Sequence, residues 1–97
     1  MAVIETHTFR LAAGADIGAF LDADRWVQTE LMRQQPTFLR RTTAHGGNGD
    51  WLVVVIWSSR TDADTAQAQF DDEPANAAFM ALVNRSTFTT SRYETLD

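Results

Sequence analysis

The chain contains no cysteine and no lysine. Without cysteine there is no disulfide, no thiol nucleophile and no thiolate metal ligand. Without lysine there is no amine to form a Schiff base, and all eight cationic side chains are arginine. Proline occurs twice and glycine five times, three of the glycines within "GGNG" at 46–49, and no stretch has the composition of a linker. No apolar run nears the roughly 20 residues that cross a bilayer; the longest, "WLVVVIW" at 51–57, has the length of a strand. The opening "MAVIETHTFR" has no basic stretch followed by an apolar one. No secretory leader is therefore read there, and a cytoplasmic location is expected. The net charge is −5 and the arginines are dispersed. Nucleic acid requires a basic stripe, which this pattern does not supply.

What is present is enough for one small domain, residues 1–97, with 44% hydrophobic residues. Many alanines, and arginine in place of lysine, suggest a GC-rich bacterial genome. Residues 2–11, "AVIETHTFRL", alternate as a strand with Val3, Glu5, His7, Phe9 and Leu11 on one face. Asp16 is placed to cap a helix running from Ile17 to about Gln35, stopped by Pro36. Its apolar side collects Ile17, Phe20, Leu21, Val27 and Leu31. "TFLRRTTAH" reads as strand two, "GGNG" as a turn and "DWLVVVIWS" as strand three, apolar on both faces. Thr61, with Asp64 three residues on, is the expected cap of a helix reaching Phe70. Pro74 then opens a further helix, "ANAAFMALVN", and residues 86–95 form the last strand.

The order β-α-β-β-α-β predicts an α+β, ferredoxin-like fold, a four-stranded antiparallel sheet with helices on one face. Strand three is apolar on its second face too, so that face needs a cover. In so short a chain the natural cover is a second copy, giving a homodimer through the open sheet face.

Three segments carry a family resemblance. They are "PTFLRR" (36–41) at the step into strand two, "VVVIWSSRTDADTA" (53–66) where a strand ends in Trp before a helix, and "PANAAFMALV" (74–83). Together they resemble the dimeric α/β-barrel superfamily, in its antibiotic-biosynthesis-monooxygenase-like branch, over nearly the whole chain. The resemblance implies a dimeric α/β barrel and a cofactor-independent monooxygenase, or a related cyclase, acting on a small aromatic or polyketide-like molecule. The alternative is a non-catalytic homodimeric module that binds a small molecule or serves as an accessory. Haem-degrading members carry an Asn on strand one and a haem-ligating His in the second helical region. This chain has Glu5, Thr6 and His7 on strand one and no His between 61 and 84, so no cofactor is expected. Quinone-forming members carry an Asn four residues before the strand-three Trp. Trp57 matches the Trp, and Val53 stands at the Asn position.

The candidate catalytic residues are His7 and Asp24. A helical projection places Asp24 and Gln28 among Ile17, Leu21, Val27 and Leu31, where a carboxylate must be paired, hydrogen-bonded or wetted. If Asp24 meets His7, the pair can serve as a general base toward a phenol or hydroquinone proton. Otherwise Asp24 is a satisfied structural group at the rim. Trp57 and Gln28 are the expected lining of a substrate pocket, with Tyr93 as a donor and Arg40 or Arg92 as an anchor for an anionic group. Arg40 and Arg41 point to opposite faces of strand two. Trp26 lies opposite the apolar stripe, and Trp51 belongs to the rim near the turn. His45 and Asp50 flank a glycine turn and are too few to hold a metal.

Overall fold

The computed structural model describes residues 1–34 and 38–97. Its elements are β1 (Val3–Leu11), α1 (Ile17–Gln34), β2 (Phe38–His45), β3 (Asp50–Trp57), α2 (Arg60–Phe70), α3 (Pro74–Met80) and β4 (Val83–Glu94). The expected stop at Pro36 and the start of strand two at Thr37 lie outside the described residues. The strands form one antiparallel sheet in the order β2-β3-β1-β4. That is the expected ferredoxin-like arrangement, with a third helix added before the last strand. Among the described residues no helix is long and apolar enough to cross a membrane.

Alternation along the strands decides what each face carries. On β1 and β3, Val3, Glu5, Phe9, Val53, Val55 and Trp57 are buried against the helices. Ile4, Leu52, Val54 and Ile56 lie on the helix-free face and are only partly covered. Phe9, Phe20 and Phe79 meet pairwise with ring centroids 5.2–5.8 Å apart, edge-on or tilted. They join strand, first helix and last helix into one core. Proline at the first turn suits α3, because the missing N–H would have no helical acceptor.

Several boundaries differ from the sequence expectation. Asp16 caps α1 as expected, its carboxylate accepting from the Ala19 N–H at 2.8 Å. The cap of α2, however, is Ser59 rather than Thr61; its Oγ accepts from the Asp62 N–H at 3.1 Å. β4 begins at Val83 rather than residue 86, because Val83 already pairs with Leu11 and the Leu82 carbonyl accepts from Ala12. α3 is correspondingly shorter than "ANAAFMALVN". The buried stripe of α1 is Phe20, Ala23, Val27 and Leu31, while Ile17 and Leu21 stay exposed. Phe20, Val27 and Leu31 belong to both stripes; the small Ala23 lets the helix settle roughly an eighth of a turn away from the side that Ile17 and Leu21 mark. In the β2–β3 turn, Gly49 has φ of +80°, the left-handed region that glycine enters without a side-chain penalty.

Candidate functional site

The register stacks the helix-facing side chains into rows across the sheet. One row is Arg41 on β2, Val55 on β3, Glu5 on β1 and Arg92 on β4. The next is Thr43, Val53, His7 and Thr90. Over these rows α1, α2 and α3 leave a cavity of about 220 Å³. Its floor is Glu5, His7, Arg41, Val53, Val55, Trp57, Phe88 and Thr90. Leu31 of α1, Ala66, Gln67 and Phe70 of α2, and Asn76, Phe79 and Met80 of α3 wall it, with Asp71 between the last two helices. The space exists because α2 presents only alanines, Ala63 and Ala66, as its buried residues and fills little of the volume above the sheet.

His7 is the centre of a polar chain on this floor. Its Nε2 lies 3.1 Å from Glu5 Oε1 and its Nδ1 lies 2.9 Å from Thr90 Oγ1. A carboxylate only accepts, so Nε2 carries the proton and donates to Glu5. Nδ1 then has the free lone pair and accepts from the Thr90 hydroxyl. Phe88 stacks on the imidazole, with centroids 5.3 Å apart and planes 21° apart. Behind Glu5, the Arg92 Nε donates to Oε2 at 2.7 Å, and the Arg92 Nη1 donates to Asp64 on α2. Burial pushes the Glu5 carboxyl upward, but hydrogen bonds from His7 and Arg92 outweigh it and hold the group below its ordinary value.

A carboxylate with a depressed folded-state value stabilises the protein above its unfolded value and loses that contribution as pH falls through the folded one. Glu5→Gln should therefore lower the melting temperature most near neutral pH. The gap from the parent protein should narrow as pH falls below the ordinary carboxylate range. Thermal melts of both proteins across that range check this; a gap independent of pH would mean that Glu5 is not held ionised by its neighbours.

Asp24 and Gln28 do not meet His7, which corrects the expected His7–Asp24 pair. Asp24 Oδ1 accepts from Arg41 Nη2 at 2.7 Å and from Thr43 Oγ1 at 2.8 Å. Gln28 Oε1 accepts from Arg41 Nη1 at 3.3 Å. Both belong to the α1–β2 edge, where a separate shallow groove runs past Leu21 and Thr42. His7 lies two strands away, with Val53 between it and Thr43, a separation of about 9–10 Å across the sheet. Arg41 lines the cavity with its side chain 4% exposed and its guanidinium 5.9 Å from the centre of the Phe79 ring.

Tyr93 and Arg40 are also set apart from the cavity. Tyr93 pairs with Ile4 and Arg40 with Ile56, so both lie on the helix-free face. Trp57 does line the cavity, and among the described residues its buried Nε1 has no hydrogen-bond partner. Glu5 and Arg92 complete the polar chain on His7, and sequence reasoning joined neither of them to it. A carboxylate alternating with Val3, His7 and Phe9 on a core-facing strand was the available signal. Among the described residues no group of three or more His, Asp or Glu is placed to hold a metal ion.

No protein-family model matches the sequence, and no curated protein matches it. Solved structures do match. SnoaB, a cofactor-independent oxygenase from Streptomyces nogalater, gives a TM-score of 0.82 over 99% of this chain and 94% of that one, at 18% identity. A protein provisionally assigned as an antibiotic biosynthesis monooxygenase from Caulobacter crescentus gives 0.83 over 99% and 91%, at 10% identity. A dimeric protein of unknown function and ferredoxin-like fold from Bacteroides fragilis gives 0.67 over 97% and 96%, at 10% identity. At the level of fold, the chain is thus similar to antibiotic-biosynthesis-monooxygenase-like proteins. Such likeness leaves the activity to be argued from the site.

Proposed function

We propose that the cavity binds a small aromatic molecule with an acidic O–H or C–H, and that His7, backed by Glu5, takes its proton in a cofactor-independent oxygenase reaction. The hydrogen-bonded pairing of His7 with Glu5 on the cavity floor carries this reading. A substrate hydroxyl displaces Thr90 from Nδ1 or passes its proton through the Thr90 oxygen. The positive charge that forms on the ring faces the Glu5 carboxylate. Phe70, Phe79 and Phe88 supply apolar walls of the kind that suits a flat ring.

Deprotonation makes the substrate electron-rich enough to reduce dioxygen directly. A methylene carbon, once deprotonated, bonds one oxygen atom of O₂; the peroxide takes the proton back from His7, and the hydroperoxide then loses water and leaves a carbonyl. The sum is CH₂ + O₂ → C=O + H₂O. The chain's own residues bind, desolvate and deprotonate. Val53 presents an aliphatic side chain beside His7, so the peroxide receives no hydrogen bond from that position.

Titration with a hydroxyanthracenone, followed by tryptophan fluorescence and an oxygen electrode, tests this function. Saturable quenching with stoichiometric oxygen uptake is the expected result. Quenching without uptake would replace the enzyme by the ligand-binding module, and no binding at all would overturn both.

Two copies are inferred to associate through the helix-free face. Ile4, Leu52, Val54 and Ile56 form an apolar patch there, edged by Thr6, Thr8, Thr42 and Ser91. An apolar patch of this kind on a small protein favours a partner, and the Bacteroides fragilis neighbour is dimeric. Val54→Asp places a charge in the middle of the patch. Light scattering should show a dimer for the parent protein and a monomer for this variant. A parent protein that is monomeric, or a variant that remains dimeric, would remove the open face from the interface.

A further inference from the structure

We infer that Arg92 is a positioning residue for the base: it holds Glu5 in place as the acceptor for His7 Nε2 and thereby keeps the lone pair on Nδ1, the nitrogen that faces Thr90 on the cavity floor. The consequence for catalysis rests on His7 being the base, but the arrangement can be tested without substrate.

Glu5 is buried, with its side chain 5% exposed, and its two oxygens have different partners. Oε1 faces His7, and Oε2 accepts from Arg92 Nε. Two neighbouring cations therefore share one carboxylate if His7 is charged, and one cation plus one N–H donor share it if His7 is neutral. Among the charged groups around Glu5, His7 comes from β1, Arg92 from β4 and Arg41 from β2 across Val55. Asp64 of α2 reaches it only through Arg92, and Asp71 stands at the cavity wall. Arg41 is engaged by Asp24 and Gln28. Arg92 is thus the cation in hydrogen-bond contact with Glu5.

The fork geometry of arginine matters here. Arg92 bridges Glu5 on the sheet and Asp64 on α2 with two nitrogens of one planar group. α2 also supplies Ala66, Gln67 and Phe70 to the cavity wall. A single side chain thereby ties the orientation of the base to the placement of the helix above it. Removing it leaves Glu5 with a free oxygen, able to rotate away from His7 or to take up a proton. Either change removes the reason for the proton to reside on Nε2.

Long-range ¹H–¹⁵N spectra at mildly alkaline pH distinguish the two neutral tautomers of His7. The parent protein should show the Nε2–H form in excess by roughly tenfold, the preference expected from one charge-assisted hydrogen bond. Arg92→Met should erase most of that excess, and Arg92→Lys, which keeps the charge near Glu5, should restore part of it. A methionine variant with the parent tautomer ratio would overturn the inference, because a packing role alone leaves the tautomer unchanged. If Arg92→Met does not fold, Arg92→Gln takes its place with the same two outcomes. If the tautomer shifts as expected while no ligand binds, Arg92 positions His7 and the functional reading fails separately.

Discussion

Asp24→Ala is expected to lower the free energy of unfolding by about 3–5 kcal/mol, the range for breaking one side of a buried ion pair. The value should fall toward the lower end, since the Asp24 side chain keeps 17% exposure while that of Arg41 keeps only 4%. Loss of the carboxylate leaves a guanidinium inside the fold with one amide oxygen, Gln28 Oε1, and the face of Phe79. It also strips Thr43 Oγ1 of its acceptor. Against a total stability of about 5–15 kcal/mol, the loss is a large share. Denaturant melts measure it directly. Adding Arg41→Met in the same chain should return much of the loss, because the uncompensated charge leaves with the arginine. A single variant that costs under about 1 kcal/mol would show that water solvates Arg41. Asp24 thus serves the architecture of the α1–β2 edge rather than proton transfer.

The second large effect is on turnover. His7→Gln should slow the reaction by about 10²–10⁴-fold, the usual contribution of a placed general base. Glutamine can donate an N–H toward Glu5, but it cannot accept a proton from substrate. Ligand affinity should change little, because Phe79, Phe88 and Trp57 remain on the cavity lining. Trp57→Phe should behave in the opposite sense, weakening binding through loss of part of the aromatic cavity lining while leaving the bound substrate able to ionise. Steady-state oxygen uptake separates the two: the His7 effect belongs in kcat and the Trp57 effect in KM.

Much of this arrangement was legible in the amino-acid sequence, and the reasons for the rest are specific. The strict alternation of Val3, Glu5, His7 and Phe9 put His7 on the core side of β1, and the structure keeps it there. Trp57 followed from the same two-residue period on β3. Tyr93 and Arg40 were set on the wrong side because strand parity depends on register. The β1–β4 ladder shifts between Thr8 and Arg10, and the β2–β3 ladder shifts between Phe38 and Arg40. Each shift changes which neighbours share a face, and no local pattern announces it. Arg92 could be named as a cation but not assigned to Glu5, since residues 87 positions apart meet only once the sheet is assembled. On α1 the large apolar residues pointed to one stripe and Ala23 to another. Packing chose the second, leaving Ile17 and Leu21 exposed and bringing Asp24 to the β2 edge.

The most direct test of His7 as proton acceptor is the absorbance of a bound, unreactive nitrophenol whose phenol and phenolate forms differ in colour. At a pH just below its own titration in water, the probe should bind the parent protein as the phenolate and His7→Gln as the phenol. An identical spectrum in both proteins would contradict the account, because the proton would then be going somewhere other than His7.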